Sequence, residues 1–237
     1  PDHATIARFI SLHFSACAKA LLAQMSDLLY LLGEISGKTI FIDGTKIESA
    51  ANKYTFVWKK AITKNQVRLY TKLSSFVAEC EELYGIKTVY HKRISIHTLK
   101  RLKKQLCRIK VQEGIVFVHG IGRRKTQLQK SLEQLDQYLE KLKEYTKKLY
   151  TLGNRNSYSK TDPDATFMRM KEDAMLNGQL KPAYNIQHGV DSEYITWLDI
   201  SPRPTDTRTL IPFLKDMENH LGFKYSEIVA DAGYESE

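Results

Sequence analysis

The stretch Thr39–Ile47, TIFIDGTKI, decides how this chain folds. It opens with four apolar or β-branched residues, which is typical of a strand inside a sheet, and an acid, Asp43, follows near its end. A second stretch, IVADAG at 228–233, has the same form: an apolar run, then Asp231, then small residues. The sequence therefore predicts an α/β fold in which two buried strands each end in an aspartate.

The spacing of apolar residues predicts the other elements. Residues 1–36 and the region from Lys64 to Tyr150 carry apolar side chains three and four positions apart, which indicates helices. Leucines at heptad spacing between 128 and 149 favour a helical hairpin packed within the domain over a free coiled coil. The runs 184–190 and 194–200 predict a β-hairpin. Asp206 is the expected N-cap of a following helix.

These elements predict four segments along the chain. They are a helical N-terminal segment at 1–36, a first strand region at 37–60, a helical insertion at 61–150, and the remainder of the α/β domain at 151–237. Without the insertion, the order is three largely antiparallel strands, a crossover helix and a parallel strand. We therefore expect a partial α/β domain that a large helical insertion interrupts.

Asp43 and Asp231 are the candidate catalytic and metal-binding residues. Ligand sites of α/β sheets lie outside strand ends, so neighbouring strands would bring these two carboxylates together. Two close carboxylates repel unless a cation lies between them, and Mg²⁺ and Mn²⁺ prefer oxygen ligands. The small residues Gly44 and Gly233 are expected to let a nucleic-acid backbone approach. The alternative is that each aspartate is an ordinary turn residue.

Positive charge is concentrated in the middle of the chain. Residues 59–149 hold 22 Lys and Arg against 8 Asp and Glu, a balance of +14, so the remainder carries −5 of the net +9. A basic middle between acidic flanks suggests that one part of the chain grips a polyanion while another holds cations. The alternative is a solvated helical face without a ligand.

The candidate DNA-binding residues are cations near the first acid and cations within the helical insertion. They are expected to contact phosphates, which position DNA without reading its sequence. The full set is Lys46, Lys53, Lys59, Lys60, Lys100, Arg101, Lys103, Lys104, Arg108, Arg123, Arg124 and Lys125. The nearby Tyr54 and Trp58 are more often core residues than stacking platforms for an unpaired base. Asp162-Pro163-Asp164 predicts a turn, with a position near the metals as the alternative.

Several protein classes are disfavoured by composition. No apolar run approaches the roughly 20 residues that a membrane helix needs. Cys17, Cys80 and Cys107 are odd in number and lack metal-ligand spacing, which predicts reduced thiols. With no signal peptide at the N-terminus, the expected location is the bacterial cytoplasm, in association with the nucleoid.

Six stretches together resemble insertion-sequence transposases of the bacterial DDE class. FIDGTKIE at 41–48 with NKYTFVW at 52–58 resembles the first-acid motif of these proteins, and VADAGYES at 229–236 resembles the second-acid motif. GQLKPAYNIQ at 178–187 and DTRTL at 206–210 resemble the strand and the helix between them, and DHATIARF at 2–9 is similar to the end of the family's N-terminal helical domain. The resemblance covers nearly the whole chain, and its motifs come in the family's order.

This resemblance implies a ribonuclease H-like catalytic domain that depends on Mg²⁺, or on Mn²⁺ in its place. It implies metal-dependent phosphodiester hydrolysis and strand transfer in DNA transposition and recombination. The expected partners are the terminal inverted repeats and target DNA of a mobile element, and a second copy in a homodimer of the full-length protein. No membrane partner is expected.

In the family, Asp43 and Asp231 correspond to the first two of three acids. The third, a glutamate on a later helix, has no match here because the sequence stops six residues after Asp231. We therefore expect a chain that is truncated at both ends and inactive as given. Two alternatives remain: a non-catalytic DNA-binding or decayed regulatory remnant of a mobile element, and a metal nuclease unrelated to mobile elements.

Overall fold

The computed structural model describes residues 2–120, 122–170 and 178–235. The end of the second-acid motif, Ser236, lies outside the described residues. The chain divides into two compact units, Pro1–Phe56 with Tyr158–Glu237, and Val57–Ser157. We call the first the sheet unit and the second the helical unit.

The elements follow one another in an order of helices, strands, helices and strands. They are α1 (His3–Phe9), a π-helical turn (Ile10–Phe14), α2 (Ala18–Leu32), β1 (Thr39–Glu48), β2 (Phe56–Trp58), α3 (Lys59–Tyr84), α4 (Ile96–Gln112), α5 (Gln127–Leu152), β3 (Ser157–Ser159), β4 (Thr166–Arg169), β5 (Leu180–Asp191), β6 (Tyr194–Ser201), a 3₁₀ turn (Asp206–Arg208), α6 (Leu210–His220), β7 (Glu227–Ala230) and a second 3₁₀ turn (Ala232–Tyr234). β2 and β3 form a two-stranded sheet.

The sheet unit contains a mixed five-stranded sheet, which confirms the predicted α/β class. β1 pairs with β5, and β5 pairs with β6, in antiparallel fashion. β7 follows α6 and pairs with β1 in parallel. These are the predicted three antiparallel strands, helix and parallel strand. β4, which pairs with the first part of β5, was not predicted, because four residues are too few to show a period.

Burial alternates from residue to residue in the first half of β1 and so distinguishes the two faces of this sheet. Ile40, Ile42 and Gly44 are buried, whereas Phe41 and Asp43 between them are exposed. We call the buried side the inner face and the other the outer face. On the inner face, the helices α2 and α6 pack against the sheet. The core there contains Ala23, Ile40, Ile42, Trp197, Phe213, Met217, Leu221 and Tyr234.

The helical unit is built from α3, α4 and α5 around a second apolar core. Most of the predicted seam of α5 is buried there, from Leu128 to Leu142, as expected of a packed helix and not of a free coiled coil. Side-chain oxygens of Ser95 and Thr126 accept the backbone N–H groups that open α4 and α5. α3 ends at Gly85, which adopts the left-handed conformation that favours glycine.

The N-terminal region is helical as predicted but is not one continuous helix. It breaks after the π-helical turn, and α2 then runs to Gly33. Among the described residues, no single helix is long and apolar enough to cross a membrane. The bent pair His3–Phe14 and Ala18–Leu32, with an angle of 79° between its halves, meets the length and composition requirement only together.

Candidate functional site

Asp231 directly follows the end of β7, whereas Asp43 lies in the middle of the neighbouring strand β1, so the prediction that both strands end in an aspartate is wrong for Asp43. The parallel register places Phe41 beside Val229 and Ile42 beside Ala230, so its next step places Asp43 beside Asp231. Adjacent strands are about 4.8 Å apart, and side chains in one register position share a face of the sheet. Both aspartates are exposed. The structure thus brings together the two acids that the sequence singled out.

Local backbone geometry orients each carboxylate. The backbone N–H of Gly44 donates to Asp43 Oδ1 over 2.7 Å. The N–H of Gly233 donates to Asp231 Oδ1 over 2.8 Å, and this bond opens the 3₁₀ turn that follows β7. Asp231 is therefore also the turn residue that the alternative predicted, whereas Asp43 is not, because it lies within β1. His188 of β5 lies directly opposite Asp43 in the antiparallel register, on the same outer face.

Behind this pair, on the inner face, lies a buried polar network. Asp206 Oδ1 accepts hydrogen bonds from the amides of Asn185 (2.7 Å) and Gln187 (2.9 Å). The Tyr234 hydroxyl donates to Gln187 Oε1. Asn185 and Gln187 are fully buried, so each needs these partners. The network therefore connects β5 to the turns that flank α6 and β7.

This network overturns the predicted capping role of Asp206. The helix α6 starts at Leu210, after a 3₁₀ turn, and no side chain caps its first turn. The reason is that Asp206 Oδ1 is occupied by the two buried amides and is turned into the unit. Only the backbone oxygen of Asp206 takes part in the turn, where it accepts from the backbone N–H and hydroxyl of Thr209.

The expected role of Gly44 needs a similar correction. Gly44 is buried, and a Cβ built on it would lie 2.6 Å from Gln187 Nε2 and 2.8 Å from Asp206 Oδ1. The absent side chain therefore makes room for the protein's own network and not for a nucleic-acid backbone. Gly44 joins Asp43 to that network because it directly follows the acid and contacts both polar groups.

The acids around the network also affect Tyr234. Burial, followed by the negative charges of Asp206, Asp43 and Asp231, raises the pKa of the Tyr234 hydroxyl well above its ordinary value. All three carboxylates therefore lie close enough to the hydroxyl to disfavour its ionisation. Tyr234 stays protonated at neutral pH and can donate its hydrogen bond to Gln187.

The carboxylates of Asp43 and Asp231 provide some of the oxygen ligands that a hard divalent cation needs. Asp43 and Asp231 supply exposed carboxylate oxygens, the ligands that Mg²⁺ and Mn²⁺ prefer. Among the described residues, no group of three or more His, Cys, Asp or Glu side chains is arranged to hold a metal ion. The described residues thus offer such an ion two carboxylate ligands, Asp43 and Asp231.

Lys46, the predicted DNA contact within β1, does not share the outer face with Asp43. Strand alternation places Lys46 on the face opposite to Asp43, and its Nζ donates to the backbone oxygen of Arg169 over 3.1 Å. Lys53 lies over the ring of Tyr54, with its Nζ 5.4 Å from the ring centroid. Tyr54 is 72% exposed, so the expectation that it packs in the core is wrong.

The remaining predicted DNA contacts belong to the helical unit. Lys59 and Lys60 open α3, where Lys59 Nζ donates to the backbone oxygen of Gly153 over 3.4 Å. On α4, Lys103 pairs with Asp136 of α5 at 2.5 Å. The exposed cations of α4 and of the loop that leads to α5 are Lys100, Arg101, Lys104, Arg108, Arg123 and Arg124. Lys125 pairs with Glu133 at 2.7 Å. Contact with DNA remains a prediction for all of them.

The segment Asp162-Pro163-Asp164 forms the predicted turn. Asp162 Oδ1 accepts the backbone N–H of Asp164, while Oδ2 accepts the hydroxyls of Ser49 (2.6 Å) and Tyr184 (2.7 Å). Although partial burial opposes ionisation, these hydrogen bonds hold the pKa of Asp162 below its usual value. The hydrogen bonds of Asp162 thus fix this turn to β5 and to the residue that follows β1.

The network residues were missed by sequence reasoning, although a signal for two of them existed. Asn185 and Gln187 are two positions apart in β5, so they face the same side of the strand. Two buried-side amides in one strand require partners, and this requirement points to a polar network. No comparable pattern marks Asp206 or Tyr234, whose roles depend on turns that the apolar spacing does not show.

Comparisons with known proteins leave the family of this chain open. No protein-family model matches the sequence, no curated protein is significantly similar to it, and no solved structure matches it significantly.

Proposed function

We propose that this chain is part of the catalytic region of a DDE-class transposase, which cleaves and joins DNA phosphodiesters with a divalent metal. The observation that carries the proposal is that Asp43 and Asp231 come directly after the last paired position, Ile42 with Ala230, of two adjacent parallel strands. The motifs around both acids resemble those of insertion-sequence transposases, and this resemblance supports the choice of reaction.

The strand order also supports this proposal. Across the sheet, the strand order is β6, β5, β1, β7. Neighbours among β6, β5 and β1 are antiparallel, whereas β7, which follows α6, is parallel to β1. This is the order expected for the first half of a ribonuclease H-like domain. The helical unit enters this order between β1 and β5, as the helical insertion that the apolar spacing predicts.

Asp43 and Asp231 would hold the metal through their carboxylate oxygens. When bound there, Mg²⁺ or Mn²⁺ would promote attack by a water or 3′-hydroxyl and stabilise the leaving oxygen of the phosphodiester. The chain's own contribution is positioning. The Gly44 and Gly233 N–H groups orient the carboxylates, and the polar network anchors the two segments that carry them.

Binding of Mn²⁺ tests this proposal. Isothermal titration calorimetry should detect one Mn²⁺ site, weakened at least tenfold by Asp43→Asn and by Asp231→Asn, because each substitution removes an anionic ligand without changing its shape. Glu193→Gln in the β5–β6 turn makes the same charge change at an exposed carboxylate outside the pair. Equal affinity in all four proteins, or equal weakening by Glu193→Gln, would contradict the proposal.

A further inference from the structure

The helical unit has a cationic groove between α3 and α5 that the sequence did not reveal. Its volume is about 560 Å³. Four cations line it, Arg68 and Lys72 from α3 and Lys130 and Lys141 from α5. We call these four side chains the groove cations. Glu133 is the one acid among the lining residues.

The antiparallel packing of α3 against α5 creates this groove. Tyr84 near the end of α3 contacts Ser131 near the start of α5, with 3.0 Å between their hydroxyl oxygens. Further along, Phe76 packs edge-on against Tyr138, with ring centroids 5.3 Å apart. Because the aromatic contacts fix the helices, the cations on both sides have a rigid support.

The groove cations are available to a ligand. Within the described part of the chain, none of them forms an ion pair. The acid in the groove, Glu133, is already engaged by Lys125 and by the Gln129 amide. The Lys125 hydrogen bond holds the pKa of Glu133 below its usual value, so this carboxylate stays ionised and paired.

A second groove, between α4 and α5, differs from the first in the charges that line it. It is lined by Lys100, Lys103 and Lys143 together with the acids Asp136 and Glu140, and Lys103 pairs with Asp136. Its charges nearly cancel, with three cations against two acids. The α3–α5 groove has four cations against one acid that has its own partner. Charge therefore favours the α3–α5 groove over the α4–α5 groove as the site for a polyanion.

The basic series of α3 continues towards the start of the helix, where Lys60 and Lys64 line a further pocket together with Lys59. Lys60, Lys64, Arg68 and Lys72 follow at intervals of four, and no Asp or Glu occurs between 59 and 78. Residues four apart lie on one side of a helix, and this series covers about 18 Å along the axis. Phosphates of one DNA strand repeat every 3.4 Å or so along the duplex, so a row of this length meets several of them.

We propose that the α3–α5 groove binds the phosphodiester backbone of duplex DNA. This inference rests on the proposed function for its choice of DNA as the polyanion. In it, the groove cations make most of the phosphate contacts. The exposed cations of α4 do not line this groove, and we expect a smaller contribution from them. Contacts to phosphate alone make this binding independent of DNA sequence.

Two variants of equal charge test the groove in the full chain. The groove variant replaces the four groove cations by glutamine. The control variant makes the same replacement on α4, at Lys100, Arg101, Lys104 and Arg108. Both lower the net charge from +9 to +5. Affinity for a fluorescein-labelled duplex of mixed sequence is measured by fluorescence anisotropy between about 50 and 200 mM salt.

The groove variant should bind the duplex at least tenfold more weakly than the wild type, and the control variant less than threefold. Each lost phosphate contact should also flatten the slope of log affinity against log salt by about 0.9, which gives about 3.6 for all four. If the fourfold variant does not fold by circular dichroism, Arg68→Gln and Lys141→Gln are tested singly against Arg101→Gln and Lys104→Gln.

Three results would overturn the groove assignment. The first is an equal loss of duplex affinity in the two variants, and the second is a larger loss in the control variant. The third is that the protein binds polyglutamate, a polyanion without phosphates, but does not bind DNA. These outcomes are separable from failure of the proposed function, which is tested by Mn²⁺ binding at Asp43 and Asp231. Normal metal binding with no effect of the groove substitutions contradicts the groove alone.

Discussion

Asp43 lies beside Asp231 because β1 and β7 are parallel neighbours in register, with Ile42 opposite Ala230 at the last paired position. Two residues that are 188 positions apart in the sequence thus follow the same paired position of neighbouring strands. Close carboxylates repel in the absence of a cation or a proton. This juxtaposition is the central feature of the site.

Gly44→Ala should destabilise the sheet unit by about 1–3 kcal/mol, the usual cost of overpacking a buried site. The new methyl group would lie within 3 Å of the Gln187 amide and the Asp206 carboxylate. Urea denaturation followed by circular dichroism measures the change. Gly222→Ala is the control, because the atoms nearest to its Cβ would belong to the flexible Asp27 side chain, at 3.3 Å or more. Equal stability of the two variants would contradict the proposed packing.

Much of the sheet was predictable because strands leave a local signature. The apolar runs before Asp43 and Asp231 and the hairpin around Asp191–Glu193 each indicate a strand within a few residues. The pairing of strands is less predictable, because the sequence of β1 does not indicate that β7 lies beside it. The expectation that Asp43 and Asp231 meet depended on the assumed strand order, and the observed register fulfils it.

The roles of single side chains were less predictable. Asp206 has the sequence context of an N-cap, but two buried amides occupy its side-chain oxygen. Gly44 resembles a site of close ligand approach, but its missing side chain serves internal packing. Both outcomes depend on β5, whose register against β1 is set by contacts more than 130 residues away in sequence. Local patterns carry no information about such contacts.

Alkaline pH should reduce stability in part through Tyr225. Burial raises the pKa of its hydroxyl to about 12 from an ordinary value of 10.0. Above pH 10, the unfolded state therefore loses this proton while the folded state keeps it, and stability falls as pH rises towards 12. Tyr225→Phe should flatten the pH dependence of the denaturation midpoint in this range. Tyr54→Phe, at an exposed ring, should leave it unchanged, and the reverse pattern would contradict this assignment.

Cys80 should resist thiol reagents in the folded protein. It is fully buried, and its burial followed by the charges of Glu79 and Glu81 raises the pKa of the thiol to about 11. The thiolate is the reactive species, so little is available at neutral pH. Cys17 and Cys107 are partly exposed and should react first with iodoacetamide, as mapped by mass spectrometry. Labelling of Cys80 at the same rate before unfolding would contradict the described core of the helical unit.

The polypeptide of these 237 residues should not cut DNA with Mg²⁺ at a measurable rate. The resemblance implies three acids, and only Asp43 and Asp231 have counterparts in this sequence. A supercoiled plasmid incubated with the protein and Mg²⁺ should stay supercoiled on an agarose gel. Nicking that Asp43→Ala abolishes, and that a Glu193→Ala control retains, would show that two acids suffice and would refute this prediction.

Iron-directed cleavage of the protein backbone tests the central claim most directly. Fe²⁺ in place of Mg²⁺, with ascorbate and peroxide, generates radicals that cut the chain close to the bound ion. If Asp43 and Asp231 hold one cation, mass spectrometry should find cuts near both residues, and both sets of cuts should disappear with excess Mg²⁺ or with either Asp→Asn substitution. Cuts near one aspartate alone, or cuts at other acids that Asp43→Asn leaves unchanged, would contradict a shared metal site.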